Sequence, residues 1–231
     1  PKNEDGNPNG NNTLFQRQNL IDNAAWAQTA FNGEDINFNG KLDPGEDNDD
    51  DGKITRFILP TPPDIPKTKV IADTNRLDIY WNNNAEESID PITLTKDFEG
   101  YRVYLTNLGF DVTKTLDLAN DLVLAAEYDI PKNGYFKETG FEGISLTTPE
   151  IIEGDTFHYK YSIPNIQNGW QYAVAVTAFD RGNPESNLEP LESSLISNNF
   201  RIFAGTQPND DMDKNEPFVY PNPYYVGAAW E

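Results

Sequence analysis

Residues 171–180 read QYAVAVTAFD and carry the plainest structural pattern in the chain. Tyr172, Val174, Val176 and Ala178 recur at every second position. Successive side chains of a β-strand point to opposite faces of a sheet, so a period of two predicts a strand that buries one face in a core. We therefore expect the surrounding chain to be rich in strands.

Six further short segments are predicted to be strands on the same grounds. Within residues 76–82, for example, Leu77, Ile79 and Trp81 share one face. The full set of predicted strands is 67–72, 76–82, 100–106, 122–130, 156–163, 171–180 and 193–204. Several short strands separated by turn-rich spacers predict a mainly β protein with a β-sandwich fold.

Residues 166–178, which read IQNGWQYAVAVTA, resemble the signature of fibronectin type III domains. In that family an apolar residue and a turn glycine precede the pattern Tyr-x-Val-x-Val-x-Ala. The resemblance implies that Tyr172 is the tyrosine of the tyrosine corner. Asn168 stands before the turn glycine, Gly169, where the family often has proline.

Two more segments resemble the same family. LDIYW at 77–81 resembles its second strand, with Trp81 as the buried tryptophan, and GYRVY at 100–104 resembles its third strand. The resemblance covers about residues 66–204, whereas such a sandwich usually has about 100 residues. The excess falls at 107–155, which implies an insertion or elaborated strands there.

A second stretch, residues 35–55, reads DINFNGKLDPGEDNDDDGKIT. With Asp35 as position one of a twelve-residue loop, the oxygen-bearing residues fall where an EF-hand loop places its calcium ligands. Gly40 at position six allows the sharp turn, and Leu42 at position eight would anchor the loop. The predicted ligands of this first site are Asp35, Asn37, Asn39, the backbone carbonyl of Lys41, Asp43 and Glu46.

An overlapping second loop begins at Asp47. Its predicted ligands are Asp47, Asp49, Asp51 and the backbone carbonyl of Lys53, with Gly52 and Thr55 in the matching positions. Position twelve is Ile58, so a second ion needs water or another carboxylate, for which Asp50 and Glu46 are the nearest candidates. The tandem resembles dockerin-like and thrombospondin type 3 calcium repeats. Pro44 leaves no room for a helix between the loops.

Two interpretations of this acidic segment remain open. A solvated linker is the usual meaning of a charge run, but it does not explain the ligand spacing. We favour bound calcium, with one ion in the first loop and a second in the next. We also favour a structural ion over a switching sensor, because a sensor needs a mobile pair of helices.

These segments divide the chain into five parts. We predict a polar arm with a short helix at 1–34, tandem calcium-binding loops at 35–58, a proline-rich connector at 59–66, the sandwich at 67–204 with an insertion at about 107–155, and a linker to a following β domain at 205–231. The helix should cover 13–31, and its apolar side should pack on the calcium loop or on the next domain. The predicted fold class is thus mainly β, a fibronectin type III or immunoglobulin-like β-sandwich with an N-terminal short helix and a calcium-binding loop segment.

The net charge and the residue types present exclude several kinds of binding and catalysis. The 231 residues carry a formal net charge of −21, which opposes binding to nucleic acid and to anionic membranes. The absence of cysteine excludes thiol catalysis and iron–sulfur clusters, and His158 is the single histidine. No phosphate-binding glycine loop and no apolar run that could span a bilayer occurs in the sequence. We predict neither enzymatic activity nor membrane insertion.

Four acids lie near the ends of predicted strands: Asp90, Asp97, Glu99 and Asp180. Loop carboxylates of this kind are usually hydrated. We therefore expect all four to be solvated, with the binding of another cation as the alternative.

The overall layout resembles large secreted surface proteins of gliding-type bacteria, which often end in a type IX secretion sorting domain. DFEGYRVY at 97–104 and PFVYPNPYYVGAAW at 217–230 carry this resemblance together with the acidic loops. It implies an extracellular, cell-surface location. The chain begins at Pro1 and its only methionine is Met212, so we expect a mature or excised piece without an export signal.

These observations favour a non-enzymatic, calcium-stabilised structural or adhesive module of a secreted cell-surface protein. Its partners would be calcium and either neighbouring domains or identical subunits of a filament or surface layer, joined by β-strand or arm contacts. The alternative is a carbohydrate-binding accessory module of a secreted hydrolase, with Trp170 and Trp230 as exposed platforms for glycans. We favour packing roles for both tryptophans.

Overall fold

The computed structural model describes residues 13–110, 115, 117–183 and 188–205. The helices are α1 (Leu14–Asn32) and α2 (Leu118–Asp121), and a 3₁₀ turn spans Asn84–Glu87. The strands are β1 (Thr68–Asp73), β2 (Arg76–Trp81), β3 (Phe98–Gly109), β4 (Val123–Asp129), β5 (Ser145–Ile152), β6 (Asp155–Pro164), β7 (Gln171–Asp180) and β8 (Asn199–Phe203). Residues 1–12 of the predicted polar arm and residues 206–231, which include Trp230, lie outside the described residues.

The strands of the described residues form two four-stranded antiparallel sheets. The strand order is β1-β2-β6-β5 in the first sheet and β4-β3-β7-β8 in the second. This order corresponds to the ABED and CFG sheets of an immunoglobulin-type sandwich, with β4 added at one edge. The prediction of a mainly β sandwich is confirmed.

Strand β7 is buried along its whole length, on both faces. One face contributes to the main core between the sheets through Tyr172, Val174, Val176 and Ala178. The other face belongs to a second apolar cluster formed by Ala173, Ala175, Leu108, Leu122, Tyr104 and Leu195. The alternation therefore predicts the strand correctly, and the small alanines of its outer face are covered as well.

The main core contains an aromatic cluster around Trp81. The indole ring stacks on Tyr159 and meets Tyr101 edge-on, each at a centroid distance of 5.7 Å. Both tyrosine hydroxyls donate to Oε1 of Glu86, at 2.6 Å for Tyr159 and 3.0 Å for Tyr101. Burial and then this neighbouring carboxylate raise the pKa of each phenol. The polar ends of the core tyrosines are thus satisfied inside the sandwich.

Tyr172 fixes the turn that leads into β7. Its phenol oxygen accepts a hydrogen bond from the backbone N–H of Gln167 at 3.1 Å, which is the contact expected of a tyrosine corner. Trp170 is half-buried nearby and meets the ring of Phe110 edge-on, with a centroid distance of 5.1 Å. The prediction that Trp170 has a packing role is confirmed.

The stretch at 107–155 supplies a strand to each sheet. Strand β4 pairs with β3 and forms one edge of the second sheet. Strand β5 pairs with β6 and forms one edge of the first sheet. This stretch therefore provides the edge strand β5 of the ABED sheet as well as the added strand β4 of the second sheet.

The proline-rich connector at 59–66 lies against the sandwich. The backbone N–H of Thr61 donates to Oδ2 of Asp90 at 3.0 Å. The side-chain amide of the buried Asn198 donates to the carbonyl of Pro66 at 2.9 Å. These hydrogen bonds fix the path by which the N-terminal segment joins the sandwich.

Helix α1 runs directly into the acidic loops. Its extent confirms the helix predicted over 13–31 to within one residue. The expected packing of its apolar side is wrong for Leu14, Leu20 and Ile21, which are 82%, 62% and 60% exposed. The reason is that apolar residues are spread around this helix and form no single stripe. Nowhere in the described part of the chain does a helix combine the length and apolar character needed to cross a membrane.

Candidate metal centre

The first acidic loop folds around the side chain of Asp35. This carboxylate is 2% exposed and accepts the backbone N–H groups of Asn39 and Gly40, both at 2.9 Å. Oδ1 of Asn37 accepts the N–H of Asn39 at 3.0 Å, and Oδ1 of Asn39 accepts the N–H of Lys41 at 2.7 Å. Gly40 has a φ of 76°, a conformation that favours glycine. The side chains at positions one, three and five are thus all drawn into the turn.

The second loop repeats this hydrogen-bond pattern twelve residues later. Asp47 accepts the N–H groups of Asp51 and Gly52, at 3.1 Å and 3.0 Å. Oδ1 of Asp49 accepts the N–H of Asp51 at 3.1 Å, and Oδ1 of Asp51 accepts the N–H of Lys53 at 2.7 Å. Gly52 has a φ of 73°, close to that of its counterpart in the first loop. The two predicted loops are therefore two copies of one turn.

Glu46, at position twelve, closes the first loop. Its Oε1 accepts the N–H of Asn37 at 3.2 Å, and its Oε2 accepts the N–H of Asp43 at 3.0 Å. Oδ2 of Asp43 also accepts the side-chain amides of Asn37 and Asn39, at 2.7 Å and 2.6 Å, and these bonds lower the pKa of Asp43. These hydrogen bonds link four residues of the predicted first site, Asn37, Asn39, Asp43 and Glu46.

The second loop is closed by Glu34, which the sequence interpretation missed. Its Oε1 accepts the N–H of Asn48 at 2.8 Å, and its Oε2 accepts the N–H of Thr55 at 2.7 Å. Carboxylate oxygens of Glu34, Asp47 and Asp49 lie within 4.8 Å of one another. Glu34 is only 1% exposed. This group of acids could hold a metal ion.

The acids expected to close the second loop lie elsewhere. Asp50 is exposed, and Glu46 contacts the first loop. The cause is a crossing of the chain, in which the N–H of Glu34 donates to the carbonyl of Thr55 at 3.0 Å. The role of Glu34 does have a signal in the sequence, because Glu34 and Glu46 each directly precede position one of a loop. The pattern Glu-Asp-x-Asn/Asp-x-Asn/Asp-Gly-Lys occurs at both places.

Gly33 makes this crossing possible. It has a φ of 58°, and a Cβ at this position would lie 2.1 Å from the carbonyl oxygen of Thr55. Beside it, Nη2 of Arg56 lies 3.3 Å from Oδ2 of Asp35. The beginning of the first loop and the end of the second are therefore tied together.

The buried charge of this segment favours a cation. Glu34, Asp35 and Glu46 are each more than nine-tenths buried. Among the described residues, only Asp35 of these three has an ion pair, with Arg56. Buried carboxylates are normally hydrogen-bonded, paired with a cation or bound to a metal, and in this segment oxygens of Glu34, Asp47 and Asp49 also lie within 4.8 Å of one another. The available donors are carboxylate, amide and carbonyl oxygens, which suit hard cations such as Ca²⁺ and Mg²⁺.

A separate cavity of about 400 Å³ is lined by three acids, Asp90, Asp97 and Asp180, and by Arg181. The prediction that the loop acids are solvated is wrong for Asp90, Asp180 and Glu99, which are 3%, 2% and 0% exposed. They are buried because each organises a loop through hydrogen bonds.

The partners of these buried acids are protein groups. Asp90 accepts three backbone N–H groups and Asp180 accepts two. The donors are Thr61, Ile92 and Thr93 for the first acid, and Gly182 and Leu191 for the second. The amide of Asn133 donates to both oxygens of Glu99, at 2.9 Å and 2.8 Å. These contacts explain the three acids as structural groups.

Asp97 makes stability depend on pH. Burial, followed by the charges of Asp180 and Asp90, raises its pKa from 3.8 to about 6. The folded state therefore holds this proton more tightly than the unfolded state, and stability should fall as the pH rises from about 4 to about 6. We expect Asp97→Asn to raise the melting temperature by a few degrees near neutral pH and to change it little near pH 4. Calorimetric melting at the two pH values measures this difference.

The exposed Asp64 of the connector provides the control for that experiment. Asp64→Asn removes the same formal charge from an exposed side chain that does not line the cavity of about 400 Å³, although it borders a smaller one beside Asp97. Equal melting curves for the two variants at neutral pH would show that ionisation of Asp97 does not destabilise the folded state.

The chain has no match among protein-family models and none among curated proteins. One solved structure with a similar chain is that of Astrotactin-2, described as a conserved vertebrate-specific and perforin-like membrane protein involved in neuronal development. The identity is 13% and the TM-score is 0.34, with the match covering 74% of this chain and 26% of that chain. The chain thus spans about a quarter of the length of that protein, and a likeness this weak carries no argument.

Proposed function

We propose that residues 34–57 bind two calcium ions and that the protein is a non-enzymatic structural or adhesive module of a secreted cell-surface protein. The observation that supports this most is the duplicated loop, in which a buried glutamate closes each of two matching turns. A linker that serves only to stay hydrated needs neither matching turns nor buried carboxylates.

Each loop offers the oxygens that calcium requires. The first site would use Asp35, Asn37, Asn39, the carbonyl of Lys41, Asp43 and Glu46. The second would use Glu34, Asp47, Asp49, Asp51 and the carbonyl of Lys53. Calcium takes about six to eight oxygens in a flexible geometry, whereas magnesium demands a near-ideal octahedron. In the first site, Asn37 and Asn39 would present their amide oxygens to the ion in place of their nitrogens.

Bound calcium would brace the junction between α1 and the connector. Helix α1 ends at Asn32, just before Glu34, and the second loop leads to the connector, which Thr61 joins to the sandwich. Calcium would neutralise carboxylates that otherwise repel one another across this junction. A structural ion suits this arrangement, because a calcium switch moves a pair of helices and α1 is the one helix next to the loops in the described residues.

An extracellular setting would supply the ion. Extracellular modules bind calcium with Kd values of about 10⁻⁴–10⁻³ M. In the described residues, the outer strands β1, β5, β4 and β8 each have an edge that pairs with no other strand. Such edges are sites at which a neighbouring domain or an identical subunit could add a strand.

The alternative of a glycan-binding module has less support. Trp170 is half-buried against Phe110, so it presents less ring surface than an exposed sugar platform would. A glycan array probed with the protein and with Trp170→Ala addresses this alternative. Binding that the substitution abolishes would favour it over the structural role.

Limited digestion with trypsin tests the calcium site, because Lys41, Lys53 and Arg56 lie within the loop segment. We expect calcium at a hundredfold excess over its Kd to slow cleavage at these residues by up to about a hundredfold relative to chelator. The protein with Asp35→Asn and Asp47→Asn should be cut at the same rate in both conditions. Equal cleavage of the unsubstituted protein with and without calcium would contradict the proposal.

A further inference from the structure

The loop between β4 and β5 contains an Asn-Gly pair, Asn133 and Gly134. Such a pair can react with itself, because the backbone nitrogen of the glycine can attack Cγ of the asparagine and form a succinimide ring as ammonia leaves. Glycine has no side chain to shield this nitrogen. Five such pairs occur in the sequence, at 9–10, 32–33, 39–40, 133–134 and 168–169. The contacts around each pair therefore decide how readily it reacts.

Around Asn133, each of the three atoms that change in this reaction has a polar partner. The N–H of Gly134, the nucleophile, donates to Oε1 of Glu138 at 2.9 Å. The side-chain nitrogen of Asn133, the leaving group, donates to both oxygens of Glu99, at 2.9 Å and 2.8 Å. Oδ1 of Asn133, which gains negative charge as the ring closes, accepts the N–H of Tyr135 at 3.0 Å. A base, an acid and an oxyanion donor are thus in contact with the reacting atoms.

The fold holds both acids in these positions. Glu99 belongs to β3 and is 0% exposed, and burial raises its pKa, so its carboxyl takes up a proton more readily than an exposed glutamate does. The backbone N–H of Glu138 donates to Oδ2 of the buried Asp129 at 2.9 Å, while its side chain reaches solvent. Lys132, Phe136 and Glu138 have φ values of 64°, 48° and 52°, a strained conformation that persists only where other contacts enforce it.

Two other Asn-Gly pairs of the described residues lack a base at the nucleophile. The N–H of Gly33 donates to the backbone carbonyl of Thr29 at 2.9 Å, and the N–H of Gly169 donates to that of Ala204 at 2.7 Å. A backbone carbonyl does not take up a proton near neutral pH, so neither glycine nitrogen is activated. The pair at 9–10 lies outside the described residues.

The pair at Asn39 has only part of the arrangement. The N–H of Gly40 donates to Oδ2 of Asp35 at 2.9 Å, and the amide of Asn39 donates to Oδ2 of Asp43 at 2.6 Å. Hydrogen bonds from two asparagine amides lower the pKa of Asp43, so this carboxylate is a poor source of a proton. Within the described chain, Asn133 therefore combines a base at the nucleophile with a buried acid at the leaving group.

We propose that Asn133 deamidates by self-catalysis, with Glu138 as the base and Glu99 as the acid. The bond between the Gly134 nitrogen and Cγ of Asn133 forms while the proton on that nitrogen passes to Glu138. The bond between Cγ and Nδ2 then breaks as Glu99 gives its proton to Nδ2, and ammonia leaves. One water molecule opens the ring to aspartate or isoaspartate. Glu138 releases its proton to solvent and Glu99 takes one up, so the sum is asparagine and water to acid and ammonia.

The product changes the contacts of the loop. An aspartate at position 133 presents a second carboxylate to Glu99 in place of an amide that donates two hydrogen bonds to it. Glu99 thus loses its donor and faces a like charge. Deamidation therefore turns a stabilising contact at this edge of the sandwich into a repulsive one, and ammonia loss makes the change irreversible.

Peptide mapping by mass spectrometry tests this assignment, because it separates asparagine from aspartate and isoaspartate at each position. The full chain is incubated near neutral pH, once folded and once unfolded in guanidinium chloride. Asn133 should deamidate about a hundredfold faster in the folded chain, the lower end of what general acid–base catalysis supplies. Asn168 should show no such acceleration. An Asn133 that reacts no faster folded than unfolded, or equal acceleration at both asparagines, would overturn the proposal.

The substitution Glu138→Gln tests the base directly. Glutamine keeps an oxygen that accepts the N–H of Gly134, so the contact remains while the base is lost. We expect this variant to deamidate at Asn133 about tenfold more slowly, or slower still. Glu142→Gln is the matched control, because it removes the same charge from an exposed side chain of the same loop, and it should leave the rate unchanged. Equal rates in Glu138→Gln and the unsubstituted protein would overturn the proposal.

Discussion

Calcium at a hundredfold excess over its Kd should raise the melting temperature of the protein by about 10 °C or more relative to the protein in chelator. Each ion that binds only the folded state adds about 2.7 kcal/mol at this excess, and two ions add about 5 kcal/mol. In a chain of this size, 1 kcal/mol corresponds to about 2–4 °C. The gain reaches the sandwich because the connector is hydrogen-bonded to it through Thr61 and Pro66. Differential scanning calorimetry measures the shift.

The double substitution Asp35→Asn and Asp47→Asn is the control for this prediction. It removes the first carboxylate of each loop while keeping the size of the side chain. The melting temperature of this variant should not respond to calcium. Asp64→Asn, in the exposed part of the connector, should respond as the unsubstituted protein does. Identical melting in calcium and in chelator would mean that the loops add no ion-dependent stability.

Trp81→Ala should destabilise the sandwich by about 3–5 kcal/mol. The indole is fully buried and contacts the rings of Tyr101 and Tyr159 at the centre of the core. Its removal loses the burial of a large apolar surface and leaves a cavity that the surrounding strands can fill only in part. Urea unfolding followed by circular dichroism measures this loss as a lower midpoint.

Two further substitutions calibrate the effect of Trp81. Trp81→Phe keeps a ring in the same place and should cost less than Trp81→Ala. Trp26→Ala removes a half-buried tryptophan from α1 and should change stability by less than about 1 kcal/mol. If the Trp81→Ala protein unfolds at the same urea concentration as the unsubstituted protein, the placement of Trp81 at the centre of the core is contradicted.

The sandwich is predictable from sequence because its signals are local. Alternation in β2 and β7, together with Tyr172 at the start of β7, is visible in short windows of the chain. The burial of the outer face of β7 cannot be predicted in this way, because Ala173 and Ala175 are small residues whose burial leaves no pattern in the sequence. Leu122 and Leu195, which help to cover them, are remote in sequence.

In the candidate metal centre, too, the local features could be predicted from the sequence and the long-range contacts could not. Positions one, three and five of each loop lie within one turn, so their spacing can be read directly. Glu34 instead contacts Asn48 and Thr55, which are 14 and 21 residues away, and only the crossing of the chain brings them together. The buried acids of the sandwich loops also include one whose burial depends on a residue distant in the sequence. Asp90 accepts the N–H of Thr61, 29 residues away, so spacing alone suggested a hydrated carboxylate where the structure has a buried one.

Isothermal titration calorimetry of CaCl₂ into the metal-free chain gives the number of bound ions outright. We predict saturable binding of two calcium ions per chain, through the matching loops that Glu46 and Glu34 close. We predict that Asp35→Asn combined with Asp47→Asn removes this binding. No heat of binding at millimolar calcium, or saturable binding that survives the double substitution, would contradict the assignment of the ions to these loops.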